Sequence, residues 1–195
     1  MFDRVPGVTD LELISSTDGV ETFRGTDADT GDAVTVKVLG YEVSADQFDR
    51  FASVCRSVRA AGRHPNVARL YDAGTTADGH PYLVTELARW TLGDNVDTEG
   101  RMRWQEVVTL GADLASALDT VHRSNVIHGD VRPGTVLLAG DDVPRLTEFG
   151  WRALQTAPDT TGVSGALSSA ERLAHAAPEV VQGRPASVQI GRAHV

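Results

Sequence analysis

IHGDVRPGTVLL at residues 127–138, followed by TEFG at residues 147–150, is the stretch that decides how this chain is read. Asp130 stands on a tight loop. The apolar run after it reads as one arm of a short β-hairpin, and Glu148 sits at the exit of the other arm. Phosphoryl transfer uses two acids placed in this way. One carboxylate orients the attacking hydroxyl, and the other holds magnesium on the nucleotide phosphates.

Upstream of this loop, residues 104–123 carry Val107, Val108, Leu110, Leu114, Leu118 and Val121 at helical spacing, an amphipathic helix long enough to span a lobe. Before residue 87 the periodicity is different. LELIS, VETFRGTD and AVTVKVLG alternate apolar and polar residues and are separated by turn formers, so they predict three antiparallel strands. Ser44-Ala45-Asp46 then opens a helix with Phe48, Phe51, Val54, Cys55 and Val58 on one face. HPNV follows at residues 64–67, and TTADGH predicts a hairpin leading into PYLVTEL. A sheet with one helix is thus followed by a mostly helical part, with the change of character near residues 86–94.

Composition narrows the function classes. At 195 residues the chain is long enough to bury a core, and a net charge of −9 argues against a nucleic-acid or anionic-membrane binder. One cysteine, Cys55, leaves no internal disulfide and reads as a small buried apolar residue. No signal peptide opens the chain and no apolar run reaches membrane-spanning length, so the expected compartment is cytoplasmic. Lys37 is the only lysine against many arginines, a bias that suits a GC-rich genome or a high-salt cytoplasm.

In this order and spacing, VTVK (34–37), HPNV, HGDVRPGTVLL, TEFG and APE (177–179) resemble the eukaryotic-type (Hanks-type) serine/threonine protein kinase family. The resemblance covers roughly residues 10–189. It implies an α+β, bilobal fold: an N-lobe of antiparallel sheet plus one helix over residues 10–87, and an incomplete, mostly helical C-lobe over residues 88–189, with residues 1–9 loose. It further implies ATP and Mg²⁺ as cofactors. The catalytic residues would be Asp130, which orients the hydroxyl, Lys37, which holds the phosphates, and Arg132, which keeps the positive charge of the family's lysine. Glu148 would take the metal, with Thr135 at the second metal position. Thr35 and Leu137 would sandwich the adenine, Thr85 would be the gatekeeper, and Glu86 and Leu87 would offer hinge backbone groups. Val20 would stand over the phosphates.

The chain departs from that family at the points where chemistry is done. Ser15, Thr17 and Val20 stand where glycines let the backbone close over phosphates. Val54 or Cys55 falls where a helix glutamate pairs with the strand lysine, so Lys37 is expected to lack its partner. Gly129 replaces the arginine that receives a phosphorylated activation segment, Thr135 replaces a metal-binding asparagine, and Glu148 replaces an aspartate. These losses predict a pseudokinase or very weak kinase that serves as a nucleotide- and partner-binding module. The alternatives are an active serine/threonine kinase in a longer chain and, from the HGD triplet, a small-molecule phosphotransferase of the aminoglycoside type. IGRAHV at residues 190–195 resembles a translated sequencing adapter and predicts that the native sequence is cut after residues 187–189. A missing downstream helix would then leave Leu114, Leu118 and Val121 without cover.

Overall fold

The computed structural model describes residues 5–17, 19–61, 63–138, 143–155, 174–182 and 184. The expected foreign tail at 190–195 and the stretch 156–173 lie outside them. So do residues 1–4 of the expected loose N-terminus, but Val5 is buried and the first strand starts at Val8, so residues 5–9 belong to the fold.

Five strands form one antiparallel sheet: β1 (Val8–Thr17), β2 (Val20–Asp27), β3 (Ala33–Leu39), β4 (Leu70–Thr75) and β5 (Pro81–Glu86), in the order β1-β2-β3-β5-β4. Alternation divides β3 cleanly. Val34, Val36 and Val38 are fully buried on one face with Tyr82 and Val84, covered by Val5. Each such valine contributes roughly 1.5–3 kcal/mol, so an aspartate at Val36 would break this layer. Thr35, Lys37 and Leu39 point to the opposite face.

Helix α1 (Ala45–Ala60) lies against part of that second face. Its N-terminus is closed by a capping box in which the Ser44 hydroxyl accepts from the Gln47 amide and Gln47 Oε1 accepts from the Ser44 amide. Phe51 and Cys55 bury against Leu39 and Leu83. The covered end of the sheet is therefore apolar, and the end carrying Thr35 and Lys37 remains as a roof.

Below the roof, β6 (Trp90–Thr91), β7 (Val136–Leu138) and β8 (Pro144–Leu146) make a small antiparallel sheet, joined by α2 (Leu92–Glu99) and α3 (Trp104–His122). Val121 of α3 is buried with Val58, Val126, Val136 and Leu146, and Leu110, Leu114 and Leu118 pack against that cluster. The large apolar residues that α3 exposes are Trp104, Val107 and Val108, one turn or more before those expected to lack cover. The 16-residue α1 and 19-residue α3 are the long helices that the spacing predicts. Helix α2 is not anticipated, although Thr91 and Asp94 form its capping box.

The HPNV segment pins the two parts together. Asn66 is buried and donates from Nδ2 to the Pro144 carbonyl at 2.9 Å. The Asn66 carbonyl takes the Leu146 amide and the Leu146 carbonyl takes the Ala68 amide, each at 2.9 Å. An amide side chain and an extended backbone are needed for these bonds, which explains the motif at this joint.

Candidate active site

The loop before β7 is built by its own short side chains. Pro133 opens a 3-10 turn, Pro133–Thr135, because its fixed φ suits a first helical position. The Thr135 hydroxyl is fully buried. It accepts from the Arg132 amide at 3.1 Å and lies 2.9 Å from the carbonyls of both Asp130 and Arg132, which share its single proton. Its oxygen is thus turned into the backbone of the loop.

His128 joins this loop to the segment after β8. Nε2 lies 2.7 Å from the Thr147 carbonyl, and Nδ1 accepts the Asp130 amide at 3.2 Å. Those two bonds require the neutral ring protonated at Nε2. Burial pushes the His128 pKa below its ordinary value, against the opposing pull of the Thr147 carbonyl. The ring also meets Phe149 edge-on, with centroids 4.7 Å apart.

Glu148 adopts φ 65°, a left-handed conformation, and Gly150 follows with φ 80°. The turn delivers the Glu148 carboxylate to the underside of the roof, where it pairs with Lys37 Nζ. Sequence reasoning leaves Lys37 unpaired; the structure corrects this, because the partner comes from a residue 111 positions away. Arg132 extends the network, with Nε 3.3 Å from Asp130 Oδ2 and Nη2 3.7 Å from Glu148 Oε2. Burial alone would raise the Glu148 pKa. The Lys37 ammonium, with help from the Arg132 guanidinium, outweighs it and holds the carboxyl below the ordinary carboxylate value.

The α1 turn expected to carry no acid is an apolar seam. Val54 sits where a Cβ on Gly150 would meet it at 3.1 Å, and Cys55 Sγ lies 3.9 Å from the Phe149 carbonyl. Trp151 and Leu154 of α4 (Trp151–Gln155) bury against Phe51 of α1. Burial pushes the Cys55 thiol up to about 12.

The cleft roof corrects two expectations. Val20 pairs with Leu39 and packs against the Leu39–Phe51 cluster, so it belongs to the α1 seam and does not stand over Lys37. The β2 residues that share the roof are Thr22, opposite Lys37, and Arg24, opposite Thr35. Register alone brings Arg24 there, a placement that strand alternation could have flagged. The Leu87 amide donates to the Ala33 carbonyl at 3.3 Å, closing the β3–β5 ladder, so it is not offered to a ligand. Thr35 pairs with the buried Thr85 across that ladder. On the floor, Leu137 pairs with Arg145, whose guanidinium reaches Glu86 at 3.6 Å.

Gly129 and Arg152 make a second departure from the expected pattern. Gly129 has φ 77°, and a Cβ there would meet Arg152 Cδ at 2.9 Å. Arg152 Nη1 donates to the Gly129 carbonyl at 2.9 Å. An arginine from α4 thus lies where the loop itself lacks one.

Known proteins resemble this chain along most of its length. The sequence model described as the protein kinase domain matches residues 14–191. The chain is 32% identical over 152 residues to serine/threonine-protein kinase PknK of Mycobacterium tuberculosis, covering 77% of this chain and 13% of that protein. It is 31% identical over 157 residues to serine/threonine-protein kinase PknB of Mycobacterium leprae, covering 77% and 25%. A probable serine/threonine-protein kinase of Clostridium acetobutylicum is 30% identical over 159 residues, covering 78% and 23%. The chain therefore spans a quarter or less of the length of these relatives.

Proposed function

The chain belongs to the protein kinase domain family, and from that premise we propose that it works chiefly as a nucleotide- and partner-binding module whose phosphoryl transfer to serine or threonine is slow. The observation that carries this reading is the Lys37–Glu148 pair. The acid expected to take magnesium is already neutralised by one ammonium and approached by the Arg132 guanidinium. A metal arriving there has to displace cations that the chain supplies itself.

The residues fit MgATP in outline. Magnesium commonly takes one or two carboxylates together with phosphate oxygens, and Glu148 can supply one. Among the described residues no group of three or more His, Cys, Asp or Glu side chains could hold a metal. When bound, the metal would neutralise phosphate charge. In this reading Lys37 holds the phosphates, and Thr35 with Leu137 flanks the base. Asp130, held by Arg132, orients the acceptor hydroxyl and takes its proton. Thr135 braces the loop in place of the metal role expected for it. The hinge contact expected from Leu87 narrows to its carbonyl.

A thermal-shift titration tests the reading. ATP should stabilise the protein modestly and nearly equally with and without Mg²⁺, because stabilisation tracks affinity. A large Mg²⁺-dependent shift would sink it. The second reading, an active serine/threonine kinase, is favoured by the contiguity of Lys37, Glu148, Arg132 and Asp130. Robust radiolabel transfer that Asp130→Asn abolishes would establish that reading instead.

A further inference from the structure

A groove that none of Lys37, Asp130, Arg132 or Glu148 lines lies outside the cleft. It has a volume of about 610 Å³ and runs behind the sheet, between the end of α1, the HPNV loop and β8. Arg59, Arg63, Arg69 and Arg145 line it, against one carboxylate, Glu86. This concentration of positive charge belongs to a chain of net charge −9. Arg69 is paired with Asp32 and stacked on Tyr71, and Arg145 reaches Glu86, so those two are held in place. Arg59 and Arg63 are exposed and form no ion pair with a described residue.

Between the arginines the lining is apolar. Val58, Ala68 and Leu70 belong to it, and the same three line a small pocket whose far wall is Glu148 and Phe149. One layer of side chains thus separates the groove from the acid that pairs with Lys37. We infer that this rear groove docks an acidic peptide segment of a partner protein, its carboxylates on Arg59 and Arg63 and an apolar side chain on the Val58–Leu70 wall. Several spread cations with apolar gaps suit an extended chain bearing several negative charges better than one compact anion. Arginine is abundant throughout this sequence, but at this groove four arginines converge. The inference is independent of whether the cleft transfers phosphate.

Fluorescence polarisation on the 195-residue chain tests it, using a labelled peptide of alternating glutamate and leucine and its glutamine counterpart. Saturable binding of the acidic peptide is expected, weakening as salt rises. Arg59→Glu with Arg63→Glu should weaken it about tenfold or more, on the order of one or two charge-assisted contacts. The milder Arg59→Gln with Arg63→Gln should fall between, and both variants should keep their melting temperature and their response to ATP. Equal binding of the glutamine peptide, or unchanged binding by the reversed-charge variant, would overturn the inference. Equal competition by a single-stranded oligonucleotide would also overturn it, by showing a general polyanion site. So would a concentration-dependent dimer that the reversed-charge variant abolishes, since the occupant would then be a second copy.

Discussion

Arg152 reaches back from the helix after the EFG turn and donates to the carbonyl of Gly129, 2.9 Å away, across a glycine whose φ is 77°. The two residues are fitted to each other. A side chain at 129 meets both an unfavourable backbone conformation and the Arg152 methylenes.

Gly129→Arg, which would put an arginine back into the loop, should therefore destabilise the protein, by about 1–3 kcal/mol. Removing the obstruction with Arg152→Gly should recover the steric part and leave the backbone part. Urea melts of the two single variants and the double variant check this. Strict additivity would show that Gly129 and Arg152 are not coupled.

Lys37→Met should cost about 3 kcal/mol at neutral pH, because it strips a nearly buried carboxylate of its main partner. Combining it with Glu148→Gln should restore most of that loss, since no charge is then left uncompensated. Chemical denaturation of the cycle measures the coupling, and a Lys37→Met protein as stable as the parent would contradict the pairing.

Stability should fall as the solution is acidified, in two stages. His128 is depressed in the fold, so between its ordinary value of roughly 6.5 and its lower folded value the unfolded chain binds the extra proton. Stability is lost as pH drops through that window. Glu148 is also depressed, so its contribution is present above roughly 4.3 and disappears at lower pH. Melting temperatures from pH 7.5 down to 3 should show both stages, and His128→Gln should flatten the first while leaving the second.

Cys55 should resist thiol reagents in the native state, since its thiol is buried and raised to about 12. Labelling with a chromogenic disulfide should become fast only in denaturant. Cys55→Glu, an attempt to rebuild a helix acid for Lys37, should unfold the protein, because the carboxylate would enter the apolar seam under Phe149 and Trp151.

Much of the architecture was legible in local pattern. Strand alternation fits β2 and β3, and the Ser44 cap and its apolar spacing fit α1. The order of HGD, EFG and APE points to the family that the comparisons show. Helix α2 escaped because eight residues carry little periodicity, although its Thr91–Asp94 capping box was readable.

By itself the sequence determined which residues are present for chemistry: a single lysine, Asp130, Glu148, and no acid on the inner turn of α1. These follow from residue type and order, because strands and helices announce themselves by periods of 2 and 3.6. Only the tertiary structure decided which groups meet. Lys37 found Glu148, Arg152 found Gly129, Val20 turned to Leu39, and Arg24 took a place on the roof. The physical reason is that pairing across the cleft is set by register, by a left-handed turn at Glu148 and by the apolar packing of α4 on α1. All of these act between residues far apart in the chain, where no local pattern records them.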